Sequence, residues 1–346
     1  MPLTKNEVTE MMELRKDPII KRWVIISSER SKRPMDFKKQ QPKSEDSFCP
    51  FDYGNEYSTP EEIIAFRDAN STPNSPGWWV RVVPNKFPAL HSENELKKQG
   101  IGIYDQMSGY GYHEVIIETP QHNAKFADMP IDQIKEIIWA YIKRFQTIRK
   151  DKRIKYVQIF KNKGEEAGAS LLHPHSQLIA TPIVPITIKS EIEGSKSYYD
   201  FRERCVYCDI ISQELKDKQR VVFKTDEFIV IEPYASRFPY ETWLLPLKHS
   251  HDFGSLENKP TLVEDLAKTI SIITKRFDKK LDDPPFNLFI HTSPFIDGVE
   301  LYYHWHIEIL PRLTNVAGFE WGTGFHINHV SPEQACSDLI EEKDIL

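Results

Sequence analysis

The sequence predicts an α+β fold of two similar halves, each an antiparallel sheet with helices packed on one side, and three repeated features predict it. Cys49-Pro50-Phe51-Asp52 and Cys205-Val206-Tyr207-Cys208 open two segments with the same order of strands, amphipathic helix and histidine-bearing strand. Glu114 lies eight positions before His122 and Glu241 eight before His249, which puts a strand and its exit in register between the halves. His173-x-His175-x-Gln177 is then matched by His304-x-His306-x-Glu308. The division expected is a first half at 1–190 and a second at 191–346, joined across about 185–204.

Each element has a local reason. Arg22-Trp23-Val24-Ile25-Ile26 is rich in strand formers and leaves through Ser31-Lys32-Arg33-Pro34, a basic turn. Residues 57–77 carry Pro, Ser, Asn and acids and read as a surface connection. Trp78 to Val83 is a strand ended by Pro84-Asn85-Lys86-Phe87-Pro88, and Tyr112 to Glu118 is a second. From Ile131 to Arg149, Ile134, Ile137, Ile138, Tyr141, Ile142 and Phe145 recur at three and four, the period of a helix with one apolar face. Lys155 to Phe160 alternates as a strand, Asn162-Lys163-Gly164 turns, and the chain enters the histidine strand. The second half repeats this with strands at Phe228–Ile231 and Glu241–Leu245, a helix at Leu262–Phe277, a strand at Phe286–Ile290 and the segment Tyr303–Glu308.

Composition narrows the function. Forty-five Lys plus Arg against 51 Asp plus Glu give a net charge of −6, so no basic field recommends nucleic acid as a partner. No apolar run approaches the length of a membrane span and the amino terminus lacks a signal-peptide pattern, which gives a cytoplasmic expectation. In a reducing compartment the Cys205-x-x-Cys208 pair reads as metal-binding or redox rather than as a disulfide.

The histidine strand carries the chemistry. Alternate side chains of a strand share a face, so His173, His175 and Gln177 line up on one side. Cys205, Cys208, His249 and His304 supply two sulfurs and two nitrogens, a set that suits tetrahedral structural zinc. Cys49, Asp52, His122 and His173 hold the equivalent places in the first half, with a carboxylate replacing one thiolate. With His173 on a metal, His175 faces a cleft, where a neutral imidazole attacks phosphorus to give a phosphoramidate that is easily displaced. One ring nitrogen must then be held by an acceptor such as a backbone carbonyl. Gln177 is placed to donate its amide to a phosphoryl oxygen, and Asn162, Lys163 and the backbone near Gly168 and Ser170 to cradle the others. The chain has no P-loop and no dinucleotide fingerprint.

Arg15-Lys16-Asp17-Pro18, Cys49-Pro50-Phe51, Asn162-Lys163-Gly164, His173-Pro174-His175-Ser176-Gln177 and His304-Trp305-His306 together resemble the galactose-1-phosphate uridylyltransferase family, a branch of the histidine-triad superfamily, over nearly the whole chain. The resemblance implies duplicated histidine-triad-like halves and a ping-pong transfer in which a nucleoside monophosphate passes from UDP-glucose to a hexose 1-phosphate through a nucleotidyl-histidine. It assigns His175 as nucleophile and Gln177 as the ligand of the transferred phosphoryl group. Asn85, Asn162 and Ser170, beside Lys163 and Gly164, help hold nucleotide and phosphates. It further implies a homodimer in which the second half of one subunit completes the site of the other. Some relatives place iron or zinc on one glutamate and three histidines, here Glu191, His291, His304 and His306; the intact Cys205 and Cys208 instead favour zinc with His304 in the knuckle. Phe319-Glu320-Trp321-Gly322-Thr323-Gly324 departs from the tyrosine-glutamate pair of the hexose uridylyltransferases and is similar to the branch that handles adenine nucleotides, the ADP-glucose phosphorylases. Transfer from an adenylyl donor to phosphate is therefore the alternative reaction. From other classes stand a zinc-stabilised nucleotide-binding protein without turnover and a metallo-hydrolase, the latter disfavoured because four-ligand sets leave no open position for water.

Overall fold

The computed structural model describes residues 12–28 and 48–341, so the basic turn Ser31–Pro34 lies outside the described residues. The described residues open with β1 (Met12–Lys16) and β2 (Trp23–Ser27). The first half continues through β3 (Ile64–Arg67), β4 (Trp78–Pro84), a hairpin of β5 (Lys98–Ile101) and β6 (Tyr104–Met107), β7 (Tyr112–Ile117), α1 (Ile131–Arg149), β8 (Tyr156–Lys163) and β9 (His175–Thr181). Two helices follow, α2 (Ile186–Arg202) and α3 (Val206–Asp217). The second half runs β10 (Val221–Lys224), β11 (Phe228–Ile231), β12 (Thr242–Pro246), α4 (Pro260–Leu281), β13 (Phe286–His291) and β14 (His306–Pro311). It ends with α5 (Gly318–Thr323), β15 (His326–Asn328) and α6 (Pro332–Ile340).

The two halves share one antiparallel sheet of ten strands, in the order β10-β11-β12-β14-β13-β8-β9-β7-β4-β3. Read outward from the β8–β13 seam, each half has the same sequence of strands, and Phe160 opposite Phe289 marks the centre of an approximate twofold. The repeat read from the sequence is thus built edge to edge. A separate sheet joins β1, β2 and β15.

Helices α1 and α4 pack against each other and on one face of the sheet. Ile134, Ile137, Ile138, Ile142 and Phe145 of α1 and Val263, Leu266, Ile270 and Phe277 of α4 are buried with Leu178, Val230, Leu244 and Ile307 of the strands beneath. Each such side chain contributes about 1.5–3 kcal/mol on full burial, so this face fixes the sheet's register. The α+β class and the helix layer are those expected. The second half adds a layer on the opposite face, where Cys205, Val206, Tyr207 and Ile211 meet Ile229, Ile231, Trp243 and Leu245.

Three local expectations change. The stretch 57–77 contains β3, which extends the sheet beyond β4. The joining stretch is the helix α2, which buries Glu191 and Ser195 rather than a row of large apolar groups. The eight-residue spacing pairs Glu114 with Glu241, but the ladders place Val115 opposite Gln177 and Trp243 opposite Glu308, so Glu241 occupies the place of His113. Glu114 faces the other side, where Arg144 of α1 clasps it at 2.6 and 2.7 Å. A one-residue slip in a strand exchanges faces, so the spacing alone misleads.

Candidate active site

His173 lies two residues before β9 and His175 begins it. Behind this strand, on the core side, Ser176 and Tyr141 hydroxyls and the Lys161 ammonium converge on Glu118; Lys161 Nζ is 2.5 Å from Glu118 Oε2 and 3.3 Å from the His175 carbonyl. All four residues are buried. The network fixes the β9 backbone from the face opposite His175.

The His175 ring is buried and stands edge-on to Phe51 at 5.4 Å. Its Nδ1–H donates to the His173 carbonyl at 2.8 Å, which leaves the lone pair on Nε2. Burial, with Lys161 nearby, lowers its pKa and keeps the ring neutral. Two cavities meet at this ring. One, of about 310 Å³, is lined by Phe51, Asn85, Ser170, His175 and Gln177. The other, of about 640 Å³, is lined by Asn162, Lys163, Gly164, His173 and His175. The structure therefore brings Asn85, Asn162, Lys163, Gly164, Ser170 and Gln177 around His175.

Their present partners differ. Asn162 Oδ1 accepts from Asn287 Nδ2 at 2.8 Å, across the seam between the halves. Lys163 is engaged by Asp283 and donates to the Pro284 carbonyl at 3.3 Å, so its ammonium reaches a phosphate only by exchanging partners. Gly164 has φ +84°, and a Cβ there would lie 2.6 Å from Pro285, so glycine is required by the turn itself. Asn85 Oδ1 accepts the Phe87 N–H at 2.8 Å. Gln177 Oε1 lies 2.9 Å from His113 Nε2. Sequence reasoning passed over His113, whose partners Ala89 and Gln177 are remote along the chain; its place on the Gln177 face of β7 is the signal that a correct register would have supplied.

Both expected ligand groups assemble, each with its donor atoms within 4.8 Å of one another. In the second, Cys208 Sγ lies 3.4 Å from His249 Nδ1 and 3.6 Å from His304 Nδ1. Sulfur and nitrogen bound tetrahedrally to one zinc stand about 3.5 Å apart, so the spacing fits. The tautomers fit as well: His249 Nε2–H donates to the Glu300 carbonyl at 2.7 Å and His304 Nε2–H to the Pro246 carbonyl at 3.0 Å, which turns both Nδ1 lone pairs toward the thiols. A hydrogen bond with Cys208 holds the Cys205 thiol below its usual pKa. In the first group His122 Nδ1 and His173 Nδ1 lie 2.6 and 3.1 Å from Asp52 Oδ1, and His173 Nε2–H donates to the Thr119 carbonyl at 2.7 Å. Partial burial pushes the Asp52 carboxyl up, but the two imidazoles prevail and hold it below the usual range.

The alternative set Glu191, His291, His304 and His306 is corrected. The group actually formed is Glu191, His291, His306 and Glu308. His304 is spent on the cysteine group, and the next residue on that face of β14, Glu308, takes its place. His291 Nδ1 is 2.8 Å from Glu191 Oε1, Tyr303 OH donates to Glu191 Oε2 at 2.8 Å, and Glu308 is ion-paired with Arg237. Burial opposes charge on His291, yet Glu191 raises its pKa above the usual value. His306 repeats the His175 tautomer through His304 O at 3.1 Å, but Tyr207 and Trp243 rings cover it at 5.1 and 5.3 Å and leave it 1% exposed. Of the two matched histidines, His175 thus lines a cavity and His306 is covered by aromatic rings.

Two family models match, the galactose-1-phosphate uridyl transferase N-terminal domain over residues 1–185 and the C-terminal domain over 191–340. ADP-glucose phosphorylase of Arabidopsis thaliana is 38% identical, over 95% of this chain and 92% of its own length. Galactose-1-phosphate uridylyltransferase of Thermotoga maritima is 30% identical over 96% and 98%. The crystal structure of the A. thaliana ADP-glucose phosphorylase with bound ADP-glucose superimposes with a TM-score of 0.81 at 36% identity, covering 96% of this chain and 99% of that one. Matched in sequence and fold through both halves, the chain belongs to the galactose-1-phosphate uridylyltransferase family of nucleotidyltransferases.

Proposed function

We propose that this protein transfers a nucleoside monophosphate from a nucleotide sugar to a phosphate acceptor through covalent His175. The observation that carries the reading is the His175 ring itself, whose Nδ1–H is held by the His173 carbonyl so that Nε2 carries the attacking lone pair beside Gln177. Nε2 bonds to the α-phosphorus as the bond to the sugar 1-phosphate breaks, and the leaving group departs with the electron pair. An acceptor phosphate oxygen then forms the new bond to phosphorus and the P–N bond breaks, which restores neutral imidazole. Gln177 donates to the non-bridging oxygen while charge builds on it. Asn85, Asn162, Ser170 and the Lys163–Gly164 turn hold the nucleotide and its phosphates.

For the donor, likeness to an ADP-glucose phosphorylase at 38% identity favours ADP-glucose with inorganic phosphate as acceptor. Likeness to a galactose-1-phosphate uridylyltransferase at 30% supports UDP-glucose with hexose 1-phosphate as the second reading. Zinc is the metal proposed for Cys205, Cys208, His249 and His304, and for Cys49, Asp52, His122 and His173, where it would pin the strand carrying His175. Glu191 already pairs with His291 and Glu308 with Arg237, which argues against a third ion. Four cysteines that form no disulfide suit a reducing cytoplasm. Exposed Phe319 and Trp321 on α5 suit a homodimer that buries them. Parallel assays with ADP-glucose and UDP-glucose, each with phosphate and with a hexose 1-phosphate, test the reading. Turnover of ADP-glucose by phosphate is expected; failure of every pairing removes the proposal.

A further inference from the structure

Resting on that reading and deepening it, we infer that His113 is a positioning residue that decides which way the Gln177 amide faces. The Ala89 backbone N–H donates to His113 Nδ1 at 3.0 Å. In the neutral ring Nδ1 therefore holds the lone pair and Nε2 the proton. That proton points to Gln177 Oε1 at 2.9 Å. A primary amide has one accepting end and one donating end, so occupying Oε1 turns the Gln177 NH2 the other way, into the cavity it shares with His175.

The neighbouring contact with Asn85 is the one this tautomer gives up, against the two it keeps with Ala89 and Gln177. Asn85 Oδ1 accepts from the Phe87 N–H, which orients its Nδ2 toward His113 Nε2 at 3.1 Å. Two donors face each other there, so that contact is not a hydrogen bond, and Asn85 keeps its N–H groups for a ligand. The opposite tautomer would satisfy Asn85 but lose both Ala89 and Gln177. The Asn85 backbone N–H also donates to the His113 carbonyl at 2.9 Å, so one residue ties the 85–89 turn to Gln177. With the His113 side chain truncated, the amide rotates freely, and the flipped form aims a lone pair at an anionic phosphoryl oxygen.

The second half shows what replaces this device. At the place of His113 stands Glu241, which with Glu308 grips Arg237. There the counterpart of Gln177, Glu308, is fixed as a charge; in the first half Gln177 is fixed as a donor.

The test measures formation of the nucleotidyl adduct on His175 in a single turnover, with ADP-glucose and with UDP-glucose as probes. The full-length protein is compared with His113→Leu, His113→Gln, Gln177→Ala and the His113→Leu/Gln177→Ala double variant. His113→Leu slows adduct formation roughly 5- to 10-fold, the value of one oriented hydrogen bond, and changes the donor KM less than about 2-fold. Gln177→Ala slows it on the order of 100-fold. The double variant is no slower than Gln177→Ala alone, because His113 acts only through that amide. His113→Gln, which supplies an amide N–H, regains most of the rate. Multiplying effects in the double variant, a wild-type rate for His113→Leu, or no difference between Leu and Gln at 113 overturns the inference. A wild-type protein that never forms an adduct on His175 overturns the transfer reading itself, and the two failures are distinct.

Discussion

The buried pair beneath the histidine strand gives a quantitative prediction. Lys161 and Glu118 have side chains 4% and 0% exposed, and their charged atoms are 2.5 Å apart. Glu118→Leu leaves the ammonium in the core with the His175 carbonyl and the face of Phe126 as its remaining partners. Removing one partner of a buried ion pair costs about 3–5 kcal/mol. Lys161→Met strands the carboxylate at a similar cost, softened by the Ser176 and Tyr141 hydroxyls that still donate to it. The double variant Glu118→Leu/Lys161→Met leaves no unpaired charge and should lie within about 1–2 kcal/mol of the wild type, a coupling of several kcal/mol between the sites. In equilibrium urea unfolding with a slope of about 3 kcal/mol per molar, each single variant lowers the midpoint by roughly 1–1.7 M and the double variant recovers most of it. Singles that cost less than about 1 kcal/mol, or a double that loses the sum of both, would refute the assignment of this pair as the support of β9.

Other consequences are more direct. A chelator should release metal from the cysteine group, expose Cys205 and Cys208 to a thiol reagent and lower the unfolding midpoint, whereas Cys336, whose thiol burial pushes up to about 12, stays unmodified until the protein unfolds; thiol labelling with mass mapping reads all three. His306→Ala should leave adduct formation within about threefold of wild type, since its ring is roofed by Tyr207 and Trp243. Phe51→Ala should weaken donor binding by roughly 3- to 10-fold, as the ring edge-on to His175 is lost from the cavity wall, and isothermal titration would show it.

Much of this was legible in the chain. The helix 131–149 carries its apolar residues at a strict three-and-four spacing, so its bounds follow from the sequence alone. Both ligand groups were readable because duplication repeats their spacing, which converts two weak patterns into one strong one. What escaped has physical causes. β3 is four half-buried residues at a sheet edge, too short and too solvated for alternation to register. α2 buries Glu191 and Ser195, so no apolar period announces it. Glu308 reads as a failed Gln177, and only the fold shows that Arg237, far along the chain, makes it a structural anion. His113 stayed hidden because register, not spacing, sets which face of a strand a residue occupies.

Intact-mass analysis of protein mixed with ADP-glucose, and separately with UDP-glucose, addresses the covalent role of His175 without intermediaries. The expected result is a mass increase of one nucleotidyl group with at least one donor, mapped to residue 175, discharged by added phosphate acceptor and missing in His175→Ala. Unchanged mass with both donors, or undiminished turnover by His175→Ala, contradicts it.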